Sequence, residues 1–134
     1  MLNRQSGLLG LSETNNALRH LLQAKVETKE EDAEKCDLAI SVYIHRIIRY
    51  IGAFISVLNG TDAIIFTAGA GEGSSEIRKR IMDRLGWLNI SINHESNQKA
   101  LLSTTVISQP DSKVTVLAVP TDEEKQIAKE ALSL

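Results

Sequence analysis

The chain has 134 residues, 15 Lys and Arg against 17 Asp and Glu, a formal net charge of −2, one cysteine and 4% aromatic residues. That length fits one ordinary domain, and an apolar fraction of 43% is enough for a core and excludes wholesale disorder. The near-neutral balance argues against a nucleic-acid binder held by phosphate neutralisation. No run reaches the roughly 18 unbroken apolar residues of a membrane helix, no basic-then-apolar start marks a signal peptide, and a lone Cys36 excludes an internal disulfide framework or a cysteine-based zinc site. The expectation is a soluble, cytoplasmic protein.

In chain order, LNRQSGLLGL (2–11) reads as a short helical turn or an extended entry, because Gly7 and Gly10 oppose a long helix. Ser12, Thr14, Asn15 and Asn16 are N-cap residue types, and Leu18, Leu21 and Leu22 follow at helical spacing, which predicts a helix over about 15–24. The charged stretch 26–37 either opens the next helix or loops towards it. Ile40, Ile44, Ile47, Ile51, Phe54 and Leu58 recur at spacings of four and three, one face of a helix over 37–58. Asn59-Gly60 ends it, with the glycine suited to a left-handed cap. The apolar, β-branched run 62–67 predicts a strand covered on both faces, as in a parallel sheet.

A glycine loop at 68–73 follows, then a helix capped by Ser74 or Ser75 with Ile77, Ile81 and Leu85 on one face and Gly86 closing it. Next come a short strand at 88–92, a polar loop at 93–99, a strand at 100–107, a turn at 109–112 and a buried strand at 113–119. Pro120 ends that strand. Thr121 and Glu124 have capping-box spacing for a last helix, with Ile127, Ala128, Ala131 and Leu132 on its inner side. Helices alternating with buried strands argue an α/β fold, with ligand sites at strand C-terminal ends.

Three features could carry chemistry. Gly69-Ala70-Gly71-Glu72-Gly73 lies between a buried strand and a helix, where missing Cβ atoms let backbone approach a ligand such as a nucleotide. The spacing matches neither the dinucleotide fingerprint nor a Walker A loop, and a tight strand-to-helix turn is the plainer alternative. Thr121-Asp122-Glu123-Glu124 could hold Mg²⁺ beside phosphates, or could simply be the acidic first turn of a helix. Arg19 could reach a phosphate or stack on a base, or could be a solvated surface arginine. His20, His45 and His94 are too scattered for a metal motif, Cys36 has no histidine near it in sequence, and Arg78, Lys79, Arg80 and Arg84 read as a solvated basic helix face.

Taken together, SGLLGLS (6–12), RIIRYIGAF (46–54), DAIIFTAGAGEGSSEIR (62–78) and VLAVPTDEEKQIAKE (116–130) resemble the C-terminal part of the acetate kinase family, with its propionate and butyrate kinase members. The resemblance covers nearly the whole chain. It implies an α/β fold of the actin-like, sugar-kinase-like ATPase type (ribonuclease H-like), with residues 1–134 as a single nucleotide-binding domain, the C-terminal half of a two-domain kinase. The family transfers the γ-phosphoryl group of ATP to a short-chain carboxylate, with Mg²⁺, giving an acyl phosphate and ADP. The family's FTAG-I-GEN motif corresponds to 66–73, so Gly69, Ala70, Gly71, Glu72 and Gly73 would line the nucleotide pocket. Its Asp-x-Arg motif corresponds to Ala17, Leu18 and Arg19, with Arg19 against the nucleotide. Its Pro-Thr-Asn-Glu-Glu motif corresponds to 120–124 and makes Glu123 the magnesium-associated carboxylate. The family also dimerises largely through this domain, so a homodimer is expected.

Two departures stand out. The family's Asp is Ala17 here, and the Asn ending its GEN motif is Gly73. Losing a hydrogen bond to a charged group costs about 1.5–3 kcal/mol, roughly ten- to hundredfold in affinity. The resemblance places no catalytic residue in this chain, because the family's phosphoryl-steadying arginines and histidine and its acyl pocket belong to segments not present. Phosphoryl transfer is mostly positioning and charge stabilisation by such groups. The expectation is a nucleotide-binding portion that is inactive without its N-terminal kinase domain. The alternative is a degenerate, non-catalytic domain acting as a dimerisation or interaction module.

Overall fold

A computed structural model describes residues 6–27, 29–99 and 103–133. The chain divides into two compact units, Met1–Gly60 and Thr61–Leu134.

The first unit is helical: α1 (Leu8–Ser12), α2 (Leu18–Glu27) and α3 (Glu30–Leu58), with α1 and α2 both packed on α3. Buried Ser12 organises the link between α1 and α2. Its Oγ donates to the Asn15 carbonyl at 3.0 Å and accepts the Thr14 and Asn15 N–H groups. Asn15 Oδ1 then accepts the Ala17 N–H at 2.8 Å, ahead of α2. The charged stretch before the long helix proves to be its beginning. Glu30, Glu31 and Asp32 occupy the first turn of α3, where their charge favours the helix N-terminus.

Leu21 of α2 and Cys36, Ala39, Ile40 and Ile44 of α3 are buried together as this unit's core. The apolar stripe predicted along α3 is present, yet α1 and α2 cover only its first half. Phe54 and Leu58 are 62% and 70% exposed. At the helix end, Asn59 rather than Gly60 takes the left-handed cap conformation (φ 56°, ψ 36°), which asparagine tolerates. An 18-residue window of α3 has a mean hydropathy of 1.4, enough by length and composition to cross a membrane. The same test is passed by helices packed in soluble cores, and Arg46 and Arg49 break the apolar run.

The second unit is built on a three-stranded sheet of order β1-β3-β2, with β1 (Ala63–Phe66), β2 (Thr105–Val106) and β3 (Thr115–Ala118). β1 runs parallel to β3, Ala63 opposite Thr115 and Phe66 opposite Ala118, while β2 is antiparallel to β3. Successive strand residues point to opposite faces. Phe66, Val116 and Ala118 are buried on one face, whereas Ala63, Ile65 and Thr115 on the other are exposed, Ile65 by 60%. β1 was expected to be covered on both faces; in this chain its burial alternates, with Phe66 buried and Ala63 and Ile65 exposed, so a single face is covered. Further buried residues of the unit come from α5 (Ser75–Asp83), whose Ile77, Ile81 and Met82 are buried, with Leu85 just beyond it.

Between α5 and β2 the structure departs from the sequence expectation. The predicted strand over 88–92 is instead a 3₁₀ turn at Gly86–Leu88, and Asn89 adopts φ 56°, which breaks any extended run. Gly86 therefore opens this turn, and α5 ends at Asp83 with Arg84 as its C-cap. Only Ile92 makes a β-bridge, to Ser108. The predicted polar loop 93–99 contains a helix, α6 (His94–Gln98), started by Asn93 Oδ1 accepting the Ser96 N–H at 3.0 Å. The strand predicted over 100–107 shrinks to β2, with 100–102 outside the described residues. The 109–112 turn is present, closed by the Ser112 N–H on the Gln109 carbonyl at 3.1 Å.

The last helix, α7 (Glu123–Leu132), forms as predicted but buries nothing. Ile127 is 66% and Leu132 89% exposed, so the expected inner side is open. Its cap also differs: Asp122 Oδ1 accepts the Lys125 N–H, and Thr121 is engaged elsewhere.

Candidate functional site

The glycine loop is a short helix, α4 (Ala68–Gly73), entered through a kink. Ala68 has φ 53°, and Gly69 has φ 33° with ψ −112°, a conformation that would strain any residue with a Cβ at that position. Gly71 lies against Phe66, with an added Cβ reaching ordinary van der Waals distance at 3.5 Å. Gly73 faces open space. Glycine is about 1 kcal/mol worse than alanine in a helix interior, so GAGEG does not hold a helical turn by propensity. Side chains hold it from both ends.

At the entry, one carboxylate oxygen of Glu72 accepts the Ala68 N–H at 2.6 Å. The same oxygen accepts the Thr121 N–H at 2.8 Å and the Thr121 hydroxyl at 2.5 Å, with the Thr67 hydroxyl at 3.5 Å. The Thr121 hydroxyl, followed by the backbone donors, holds the Glu72 carboxyl below its usual value. Glu72 thus joins the glycine turn at the end of β1 to the Thr121 segment at the end of β3. This is why Thr121 does not cap α7.

At the exit lies Arg78, which sequence reasoning grouped with the solvated basic face. It is 2% exposed. Its Nη1 donates to the Gly71 and Glu72 carbonyls at 2.8 and 2.6 Å, its Nε to Asn97 Oδ1 at 2.8 Å and its Nη2 to the Asn97 carbonyl at 2.7 Å. Asn97 Nδ2 in turn donates to the Ser75 carbonyl at 2.9 Å. Burial pushes the guanidinium down from its ordinary value, though an arginine stays protonated. The missed signal is periodicity: Arg78 precedes Ile81, Met82 and Leu85 by three, four and seven residues, which places it on the buried stripe.

Between the two strand ends lies a groove of about 420 Å³, lined by Ala68, Gly69, Glu72, Thr121, Asp122, Glu123 and Glu124. Of the residues singled out in the sequence, Gly69 and Glu72 of the glycine loop meet Thr121, Asp122, Glu123 and Glu124 there. Ala70, Gly71 and Gly73 belong to the same short helix without lining the groove. Ala17, Leu18 and Arg19 belong to the first unit, where Leu18 opens α2 and Arg19 is exposed. No group of three His, Cys, Asp or Glu among the described residues could hold a metal by itself. The groove carboxylates differ in availability. Glu72 and Asp122 are engaged in backbone hydrogen bonds, whereas Glu123 and Glu124 have no such partner among the described residues. Mg²⁺ takes one or two carboxylates and completes its shell with phosphate and water, so one or two such carboxylates would need further oxygen ligands to hold it.

The sequence profile of the acetokinase family matches residues 1–129. The chain is 45% identical over 130 residues to an acetate kinase of Clostridium novyi and 42% identical to one of Pseudothermotoga lettingae, covering 97% of this chain and 31% of each relative. Among solved structures, an acetate kinase from Entamoeba histolytica superposes with a TM-score of 0.88 at 34% identity, over 99% of this chain and 35% of that one. A propionate kinase from Francisella tularensis superposes at 0.79, also at 34% identity, over 97% of this chain and 32% of that one. The chain therefore spans about a third of the length of the proteins it matches. By sequence and by its mixed α/β fold, it belongs to the acetokinase family.

Proposed function

We propose that this chain is the ATP-binding portion of an acetate kinase-type phosphotransferase, in which the γ-phosphoryl group of ATP passes to a short-chain carboxylate. The observation that supports this is the groove where the glycine turn meets the free Glu123 carboxylate, both at strand C-terminal ends of one sheet. Gly69 and its neighbours would lie along the nucleotide. Glu123 would hold Mg²⁺ jointly with the nucleotide phosphates. When bound, that ion offsets the charge of the polyphosphate. The groups that steady the transferring phosphoryl and bind the acyl substrate would come from a kinase domain outside this chain, so the chain alone would turn over no acetate. A cytoplasmic setting and a homodimer complete the proposal.

Calorimetric titration with Mg·ATP tests it, beside a variant carrying Ala17→Asp and Gly73→Asn. An added Cβ at Gly73 meets no atom within 4 Å. The expected result is micromolar to millimolar binding by the natural chain and tighter binding by the variant. Absence of binding by both, with both folded, overturns it. A second reading, an interaction module without nucleotide, is favoured by one observation: Phe54, Val57 and Leu58 present an open apolar face on α3.

A further inference from the structure

We infer that Arg78 is the positioning residue of the glycine turn, holding α4 in its ligand-ready shape from beneath. This rests on the nucleotide reading of the groove and assigns that site a residue outside its lining. The guanidinium is buried, and among the described residues its side-chain hydrogen bonds go to neutral amide oxygens: the Gly71 and Glu72 carbonyls of α4 and two oxygens of Asn97 in α6. The rigid fork of arginine matches this divergent set, which a lysine ammonium cannot span. Asn97 is itself 2% exposed and is tied to Ser75 at the start of α5. The turn is therefore fixed to two helices behind it through a single cation. The carbonyls of Gly71 and Glu72 fix the peptide planes that lead into Glu72 and Gly73. Glu72 then carries the order forward to Thr121 at the mouth of the groove. A charge held by neutral dipoles also leaves the floor of the turn electropositive, which suits an anionic phosphate above it.

The test uses the whole chain, with Arg78→Lys and Asn97→Ala as variants. Glycine amides are resolved in nitrogen–proton correlation spectra, so Gly69, Gly71 and Gly73 report on the turn directly. Positioning by Arg78 predicts that both variants shift these three signals and raise hydrogen exchange at 71–74 at least tenfold, while exchange at Val116 and Leu117 stays unchanged. It also predicts that Mg·ATP affinity falls at least tenfold in Arg78→Lys and less in Asn97→Ala. Uniformly faster exchange through the unit, strands included, would mean a purely structural role and overturn the inference. Unchanged glycine signals in both variants would overturn it as well. If the unaltered chain binds no nucleotide, the functional reading falls, and the glycine signals and exchange still decide the role of Arg78.

Discussion

Helices α5 and α7 belong to the same unit and are opened by the same device. In each, a side-chain oxygen just ahead of the helix accepts the N–H three residues on: Ser74 Oγ from Ile77, and Asp122 Oδ1 from Lys125. Each carries glutamate in its first turn and a basic residue in its last. Yet α5 buries Ile77, Arg78, Ile81 and Met82, and α7 buries nothing. Local signals decide where a helix starts; whether its apolar stripe is worth anything depends on what lies opposite. α5 has α4 and α6 beside it and its apolar side is buried. α7 presents Ile127 and Leu132 to solvent and is tied to the unit through the strand before it and the Thr121–Glu72 link.

The sharpest way to break the comparison is a pair of truncations. Ile81→Ala, at a position 1% exposed, is expected to cost about 2–5 kcal/mol in urea unfolding, with the cavity left behind adding to the lost transfer energy. Ile127→Ala is expected to stay within about 0.5 kcal/mol. Comparable losses from both would mean that α7 is packed in solution. The caps come next. Ser74→Ala should cost about 0.5–2 kcal/mol and lower the protection of the β3 amides, because α5 is part of the core. Asp122→Ala should fray α7, seen as a loss of helical circular dichroism, and leave β3 exchange as it was.

The smallest effect expected is one of pH. Glu72 has a lowered pKa in the folded chain, so its link to Thr121 is complete above the ordinary carboxylate value of 4.5. It is lost as pH falls through the lowered folded value, when the carboxyl is protonated. Exchange of the Thr121 amide should rise over that acid window, and Glu72→Gln should flatten the dependence. A profile that stays the same in Glu72→Gln would show that the acid effect arises elsewhere.

Periodicity and capping made most of the helices readable in advance. The stripe from Ile40, the Ser74 cap and the 109–112 turn stand where the residues put them. What escaped had no pattern of its own. HESNQ at α6 is polar throughout, and its helix exists because Asn93 caps it and Arg78 grips Asn97 from another helix. Arg78 looked like surface because charge outweighed position, although its spacing to Ile81 and Leu85 was that of a core residue. Ile65 and Ile127 erred the other way: apolarity implies a partner but does not supply one. At the groove, the glycines and Glu123 stood out by residue type. Glu72 as the joint between two strand ends did not, since 49 residues separate it from Thr121.

The pairing of β1 with β3 has a kinetic consequence. The two strands are neighbours and parallel, yet their partners lie about fifty residues apart in the chain, so closing that loop forfeits chain entropy before any strand hydrogen bond forms. α5 and the turns between lie inside that loop, and forming them shortens its effective length. During synthesis β1 emerges well before its partner, and until β3 arrives it is an unpaired apolar edge. The seat of the groove thus rests on a long-range strand pairing, the kind that tends to form late and stays open to misassembly until it closes.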